Sequence, residues 1–432
     1  MSSRREFLKA VGAGAATLAA GGLWPRPAAA APLPQAYAFV ELLATGAALP
    51  GGGSLSFLPG PVALSDAGSL LFLAQDSRGV MGVYRLEVAS GELGKVLASG
   101  DTLPDGNTAY RIATFDTNHR GSAAVIANSA EEGLFGVHLA RPGEALQQVA
   151  ALGQQVGDTD HRWGGEFTDL VLHQDDDLLV VAHYTTQGLD AGRAGLFHLP
   201  GSGRGARLLM TTPSLVHGAD GQVADLGLSH LNSGDYVIQA VTVNQDLVSS
   251  SAAGGGAAAP VRTALVTGST GRAQTSGFAT LAWPQYPRPG GPPPAGEIVY
   301  GPRMDHDSQA AYVVHVTDER LTLVVKDRTV ISTGDLAPAG WPVFSMSPPN
   351  VGAGLYFVNL YGYTDQNEFQ LVVYNGSEMG AVVTMLDDFG GRRMVNLLWG
   401  FHTDQVDPAG RLAFVAEWDD QSTQSLMLAV PA

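Results

Sequence analysis

Apolar and polar positions alternate along this chain in short runs, and the runs fall into three recurring kinds. The first ends in a tight, often Gly-rich connection: Phe39–Thr45 before Gly46, Lys95–Ser99 before Gly100 and Asp101, Gln148–Leu152 before Gly153, Arg207–Thr212, Thr329–Thr333 before Gly334 and Asp335, and Ala381–Leu386 before Asp387. An apolar residue at every second position suits a half-buried strand, and Gly permits the positive φ of the turn that follows. The second kind opens with a polar residue, reaches Gly three positions on, and continues as small, aromatic and β-branched residues. Its clear copies are Ser65–Phe72, Asn118–Val125 and Asp407–Phe414, and looser ones begin at His173, Leu231, Asp305 and Asn350. This pattern predicts a hairpin, with Asn, Asp or Ser opening the turn and Gly supplying the backbone that other residues resist. The third kind is the next strand out, seen in Gly82–Leu86, Gly136–Leu139, Gly195–Leu199 and Leu371–Tyr374. No helical period is sustained after residue 31.

The order of these runs predicts an architecture. Hairpins lie near 65, 118, 173, 231, 305, 350 and 407, and fourth-strand segments near 40, 95, 148, 207, 272, 329 and 382. The first fourth-strand segment precedes every hairpin, and the last hairpin has none between itself and Ala432. A ring reconciles the two ends, because the strand at Phe39–Thr45 can complete the last sheet and leave no open edge. The expected fold class is therefore all-β, a β-propeller of seven four-stranded blades closed by the N-terminal strand. One such domain spans 31–432, with low-complexity insertions at about 246–260 and 283–296. The first insertion is Ser-, Gly- and Ala-rich and the second Pro-rich; both read as surface segments, and a lid or partner-binding role is the alternative.

The turn-plus-strand signature resembles the tandem-repeat family written NxxGxxAF and described as choice-of-anchor. The resemblance covers most of the chain and departs from the pattern where Ser65, His173, Asp305 or Asp407 stands in place of the leading Asn. It implies a β-propeller-like fold and carries no activity.

Composition narrows the function classes. Charged residues are only 15%, Gly (55) and Pro (25) are abundant among 432 residues, and Cys is absent, which removes disulfides, thiolate metal sites and a Cys nucleophile. Residues 1–30 carry Arg4, Arg5 and Lys9, an apolar stretch, and Ala28-Ala29-Ala30. Those are the three parts of an export leader, and the arginine pair followed by Phe7 and Leu8 resembles the twin-arginine signal. Cleavage is expected after Ala30, giving a periplasmic or secreted protein exported already folded. Without the leader the chain holds 20 basic and 40 acidic side chains, net −20. Such a charge repels phosphate backbones, so nucleic acid is not an expected partner. No later stretch is long and apolar enough to span a membrane. A monomer that binds an unidentified protein or small molecule is expected.

Three sets of residues are candidates for chemistry. Aligned on their hairpin strands, Gln75, Asn128, His183, His315 and Glu417 fall at one equivalent point, with Val241 in the fourth copy and Leu360 or Tyr361 in the sixth. They read either as inter-blade hydrogen-bonding groups or as a polar ring around a ligand, in which His183, His315 and Glu417 would suit zinc. A second set, in the loops after the fourth strands, includes Asp101, Asp105, Asp158, Asp160, His161, Trp163, His217, Asp220, Asp335, Asp387 and Asp388. It reads as a solvated acidic surface or, alternatively, as an acidic face with interleaved aromatics where calcium is the candidate. The third set lies on the expected innermost strands: Arg303 and His402, with Arg111, Glu166, Asp169, His306 and Trp399. There is no phosphate loop, dinucleotide fingerprint, Gly-x-Ser-x-Gly elbow or His-Glu-x-x-His. The expected function is that of an exported, non-catalytic propeller that binds or scaffolds. The alternative is a propeller enzyme, a hydrolase or lyase, using the ring or the acidic face with or without a metal.

Overall fold

The structure is a computed structural model that describes residues 32–432 apart from 130–134, 174, 187–192, 202–204, 216–221, 233–234, 244–260, 270–278, 281–296, 305–309, 317–319, 363–367, 400–402 and 421–422. The leader, both insertions, and His217, Asp220, His306 and His402 lie outside the described residues. Within them every regular element is a strand, and the strands form seven antiparallel sheets. No helix among the described residues is long and apolar enough to cross a membrane.

Sheet 1 runs outward from Leu55–Phe57 and Val62–Leu64 through Ser69–Asp76 and Met81–Glu87 to Leu93–Ala98. Sheet 2 comprises Ala109–Thr117, Ala123–Ser129, Phe135–Ala140 and Gln147–Ala151, and sheet 3 His161–Leu172, Leu178–Thr186, Arg193–Leu199 and Arg207–Thr211. Sheet 4 has Gln222–Asn232, Asp235–Val243, Val261–Ser269 and Ala279–Thr280, with Ser214–Leu215 along its inner edge. Sheet 5 is built from Glu297–Met304, Ala310–Val316, Arg320–Val325 and Arg328–Ser332. Sheet 6 holds Val343–Met346 and Asn350–Gly352, then Leu355–Gly362, Phe369–Tyr374 and Met379–Thr384. Sheet 7 takes Met394–Leu398, Leu412–Trp418 and Gln424–Pro431 from the C-terminus and Tyr37–Ala44 from the N-terminus. That last pairing runs from Tyr37↔Pro431 to Ala44↔Ser425, and Phe39 packs edge-on against Phe389 (5.0 Å between ring centroids) and Phe414 (6.4 Å).

The core lies between sheets. Each sheet shares one buried apolar cluster with the next, 1 with 2 through to 6 with 7, and a last cluster joins sheet 7 back to sheet 1. The first strands of sheets 2, 3, 4 and 5 touch in that order around the axis. This is an all-β propeller: sheets stacked face to face in a closed cycle, with their first strands innermost.

The hairpins form for the local reason the sequence suggests. Asn118 Oδ1 accepts the backbone N–H groups of Arg120 and Ser122, Asp407 Oδ1 those of Ala409 and Arg411, and Ser65 Oγ that of Ser69. The fourth position has positive φ in each: 84° at Gly68, 76° at Gly121 and 75° at Gly410. The His173 and Asn350 copies keep this backbone without Gly, at Asp176 (65°) and Ala353 (57°). An L-residue there costs roughly 1–2 kcal/mol, which the surrounding packing must offset.

Candidate functional site

The two ends of the ring differ. At one, the hairpin end, the first strand of each sheet turns into the second. At the other, the bulge end, each first strand begins and each second strand finishes. The name reflects a feature of all seven sheets: the ladder between first and second strands slips just after it begins. The slip falls between Leu55 and Phe57, Ala109 and Arg111, Trp163 and Phe167, Val223 and Asp225, Ile298 and Tyr300, Val343 and Ser345, and Met394 and Asn396. A bulge leaves its extra residue unpaired and re-aims the side chain. In sheets 2 and 6 the extra residue is aromatic and exposed, Tyr110 at 65% and Phe344 at 58%. Phe57, beside the bulge of sheet 1, is also exposed, as are Leu336 and Leu386 in the loops leading to sheets 6 and 7.

The polar ring expected from the sequence lies opposite these bulges. Gln75 pairs with Phe57, Asn128 with Arg111, Val241 with Asp225, Tyr361 with Ser345 and Glu417 with Asn396, each the residue after the slip. His183 faces the longer bulge of sheet 3, where a Cβ on Gly165 would come within 2.7 Å of the His183 Cβ. His315 departs from the set, pairing with Glu297 before the slip of its sheet. Among the described residues no hydrogen bond or ion pair joins any two of Gln75, Asn128, His183, His315 and Glu417. Glu417 instead accepts from Asn396 Nδ2 and Gln424 Nε2, both at 2.8 Å, and Gln424 Oε1 accepts the buried N–H of Leu58 at 2.7 Å. Gln424, held by the Glu417 carboxylate, thus ties sheet 7 to sheet 1. No group of three or more His, Asp or Glu side chains is gathered to hold a metal ion among the described residues.

The loops after the fourth strands use their acids as turn caps. Asp101 accepts from Ala98 N, Asp335 from Ser332 N and Asp387 from Thr384 N, at 2.7–2.8 Å. The residue before each has positive φ, 91° at Gly100, 91° at Gly334 and 68° at Leu386. Asp101 also pairs with Lys95 and Asp335 with Arg320. Asp105, Asp158, Asp160 and Asp388 are exposed. Trp163 is a correction to the aromatic face: it is buried between sheets 2 and 3, its ring edge-on to Phe197, because its bulge follows it instead of containing it. Trp399 is likewise buried in the cluster of sheets 6 and 7.

The hairpin end carries charge that the sequence did not group. His230 Nδ1 accepts from the N–H of Met304, which leaves Nε2 facing Asp404 Oδ1 at 3.4 Å. Arg303 Nε is 3.8 Å from the same oxygen. Asp404 keeps 35% of its side-chain surface. Burial opposes its ionisation, but His230 and Arg303 outweigh that and hold its carboxyl down at about 2. Asp116, which accepts from the backbone of Thr117 and of Leu172 in sheet 3, is pushed well up by burial and by the charge of Asp404. Asp66, at the rim, is pushed up to about 6 by desolvation and by Asp407 and Asp404, with Arg411 opposing. These groups come from separate sheets, and their contacts lock inner strands together. Arg303, from the expected innermost set, joins them; Arg111 is exposed at the other end.

No protein family matches the chain, and no curated protein matches it, so the NxxGxxAF likeness rests on the residues quoted above. Solved structures do match. The β-propeller domain of the Trilobed protease from Pyrococcus furiosus, described as having an open velcro topology, is 7% identical, covers 87% of this chain and 94% of that one, and has a TM-score of 0.50. An acylaminoacyl peptidase from Pyrococcus horikoshii is 7% identical with a TM-score of 0.49, over 84% of this chain and 49% of that one. At such identity the likeness establishes the β-propeller fold alone. Unlike a ring left open, this one is joined by the pairing of Tyr37–Ala44 with Gln424–Pro431.

Proposed function

We propose that this protein is a seven-bladed propeller, exported by the twin-arginine route, that acts as a non-catalytic binding module through its bulge end. One observation carries the reading: all five large apolar side chains exposed among the described residues, Phe57, Tyr110, Leu336, Phe344 and Leu386, lie at that end. Exposed large apolar side chains confined to one end of the ring favour that end as the binding face. The set also forms an arc on four consecutive sheets, 6, 7, 1 and 2. The seven sheets and their closed cycle of clusters support the blade count, and the Arg4-Arg5 leader supports export.

The test immobilises the full chain and passes over it an extract of the producing cell. The native protein, a Phe57→Ser/Tyr110→Ser/Phe344→Ser variant and an Asp66→Asn variant at the hairpin end are compared for retained protein and carbohydrate. Retention lost only in the serine variant is expected; retention lost only in the Asp66 variant refutes the assignment. In parallel, Arg4→Lys/Arg5→Lys is expected to keep the precursor in the cytoplasm, and unchanged export would remove that part.

A further inference from the structure

Resting on that reading, we propose that Leu386 is the apolar anchor of the binding face, and that it seats a protein segment carrying Lys or Arg beside large apolar side chains. The turn that leaves a fourth strand for the next sheet has the same build in five places. The N–H groups of Gly46, Gly100, Gly153, Gly334 and Leu386 donate to the carbonyls of Leu55, Ala109, Trp163, Val343 and Met394, respectively, at 2.7–2.8 Å. The N–H that follows each closes back on Ala44, Ala98, Ala151, Ser332 and Thr384. This build uses positive φ, and Gly supplies it four times, at 79–93°. The fifth copy places a leucine there, at 68°. An L-residue is strained in that conformation, and leucine lacks the local hydrogen bonding that lets Asn or Asp adopt it. The fold gains little in return. Leu386 is 43% exposed, and the apolar cluster of sheets 6 and 7 takes in its neighbours Met385 and Phe389 without it. Strain and exposure held at one residue point to a use outside the fold.

Two more exposed apolar side chains flank the same sheet. Leu336, 65% exposed, leads into sheet 6, and Phe344, 58% exposed, is the unpaired residue of its bulge. Gln370 braces this end: its Oε1 accepts from Ala339 N at 3.1 Å, in the loop of Leu336, and its Nε2 donates to Thr384 Oγ1 at 3.0 Å, two residues before Leu386. The side chains select the partner. Leucine offers neither a flat face to a sugar ring nor a hydrogen bond to its hydroxyls, so the surface it meets is apolar. Charge narrows the choice further. Asp387 and Asp388 follow Leu386 and are exposed. Of the nearby cations, Arg320 pairs with Asp335, Arg392 pairs with Glu41 and lies over the Trp418 ring at 4.3 Å, and Arg393 is exposed. On a chain of net charge −17, two carboxylates beside the anchor repel an anionic membrane and favour a cationic protein segment.

A random dodecapeptide library displayed on phage is selected against the full native chain, and the enriched peptides are synthesised and titrated calorimetrically. They are expected to combine Lys or Arg with large apolar residues. Leu386→Gly should weaken them at least about tenfold, the value of burying the exposed part of a leucine. Its urea midpoint should be no lower than that of the native chain, because Gly relieves the turn. Leu386→Asn, which also tolerates positive φ, should lose binding equally. The assignment is overturned if no peptide is enriched, if the enriched peptides lack cationic residues, or if they bind both variants like the native chain. It is also overturned if Leu386→Gly unfolds at clearly lower urea, since leucine would then serve the fold. Cosedimentation with vesicles of phosphatidylcholine and phosphatidylglycerol runs alongside; binding that Leu386→Gly abolishes would assign the anchor to a membrane and remove the protein segment. Should Leu386→Gly keep the extract retention that the serine variant loses, the anchor is removed and the binding module stands. Retention unchanged in both variants removes both.

Discussion

Gln424 and Gln75 both end up near the bulge end as amide side chains, yet the structure assigns them opposite importance. Gln424 is nearly buried; its oxygen accepts the Leu58 N–H at 2.7 Å and its nitrogen donates to Glu417 at 2.8 Å. Gln424→Ala strands a buried backbone donor across the seam between sheets 7 and 1, worth about 1–3 kcal/mol, and removes a hydrogen bond to a charged group, worth about 1.5–3 kcal/mol. Partial relaxation around the shortened side chain recovers some of this, so the expected loss is about 3 kcal/mol. Gln75 makes one long bond, Nε2 to the Gly79 carbonyl at 3.3 Å, and Gln75→Ala should stay within about 0.5 kcal/mol. The assay is urea unfolding followed by tryptophan fluorescence, with the slope checked for constancy. Glu417→Ala should cost a similar amount to Gln424→Ala, and the double variant should cost at least about 1 kcal/mol less than the two singles added, since they share one network. If Gln424→Ala lost less than about 1 kcal/mol, or the double variant were additive, the seam would not depend on this bridge.

Two further outcomes are expected. His138 is fully buried with neither ring nitrogen partnered, and burial pulls its pKa down to about 4, with Asp105 opposing. The unfolded chain, titrating near 6.5, then binds more protons between those values, so stability is complete above about pH 6.5 and falls as the pH drops toward 4, by on the order of 3 kcal/mol. Urea midpoints of the native chain and His138→Leu across pH 4–7 check this; the variant should lose that part of the slope, and parallel curves would contradict it. Gly121 and Gly68 occupy the same place in two hairpins, but a Cβ on Gly121 would approach Ser69 Oγ to 2.7 Å whereas nothing lies within 4 Å of one on Gly68. Gly68→Ala should cost about 1 kcal/mol from positive φ alone and Gly121→Ala clearly more, as read by thermal melting; equal costs would mean that sheets 1 and 2 part easily at their turns.

What could be read from the chain was whatever is held by neighbours in sequence. The hairpins at Ser65, Asn118 and Asp407 were legible because the side chain that opens each turn caps amides two to four positions away. The N-terminal strand's place followed from counting, and its pairing with Gln424–Pro431 is seen directly. The loop acids illustrate a signal read in the wrong currency: the Gly-Asp pairs at 100–101 and 334–335 mark a turn that uses its carboxylate internally, and Asp387 does the same after Leu386. The bulges left no mark, since Ser56, Tyr110, Phe344 and Val395 share no chemistry; their common feature is a slip in pairing that depends on the partner strand. The group around Asp404 was equally hidden. His230, Arg303 and Asp404 stand on three sheets, and only closure of the ring makes them neighbours. His402 lies outside the described residues.

The strand Tyr37–Ala44 is the outer edge of sheet 7, and Thr45 meets Gln424, 379 positions further along. A ribosome must therefore finish nearly the whole polypeptide before the earliest strand can find its mate. Until then Phe39 and Leu42 have nowhere to hide, and late, long-range pairing of this sort is slow to form and exposed to aggregation. Losing the last few residues should harm the protein as much as losing the first.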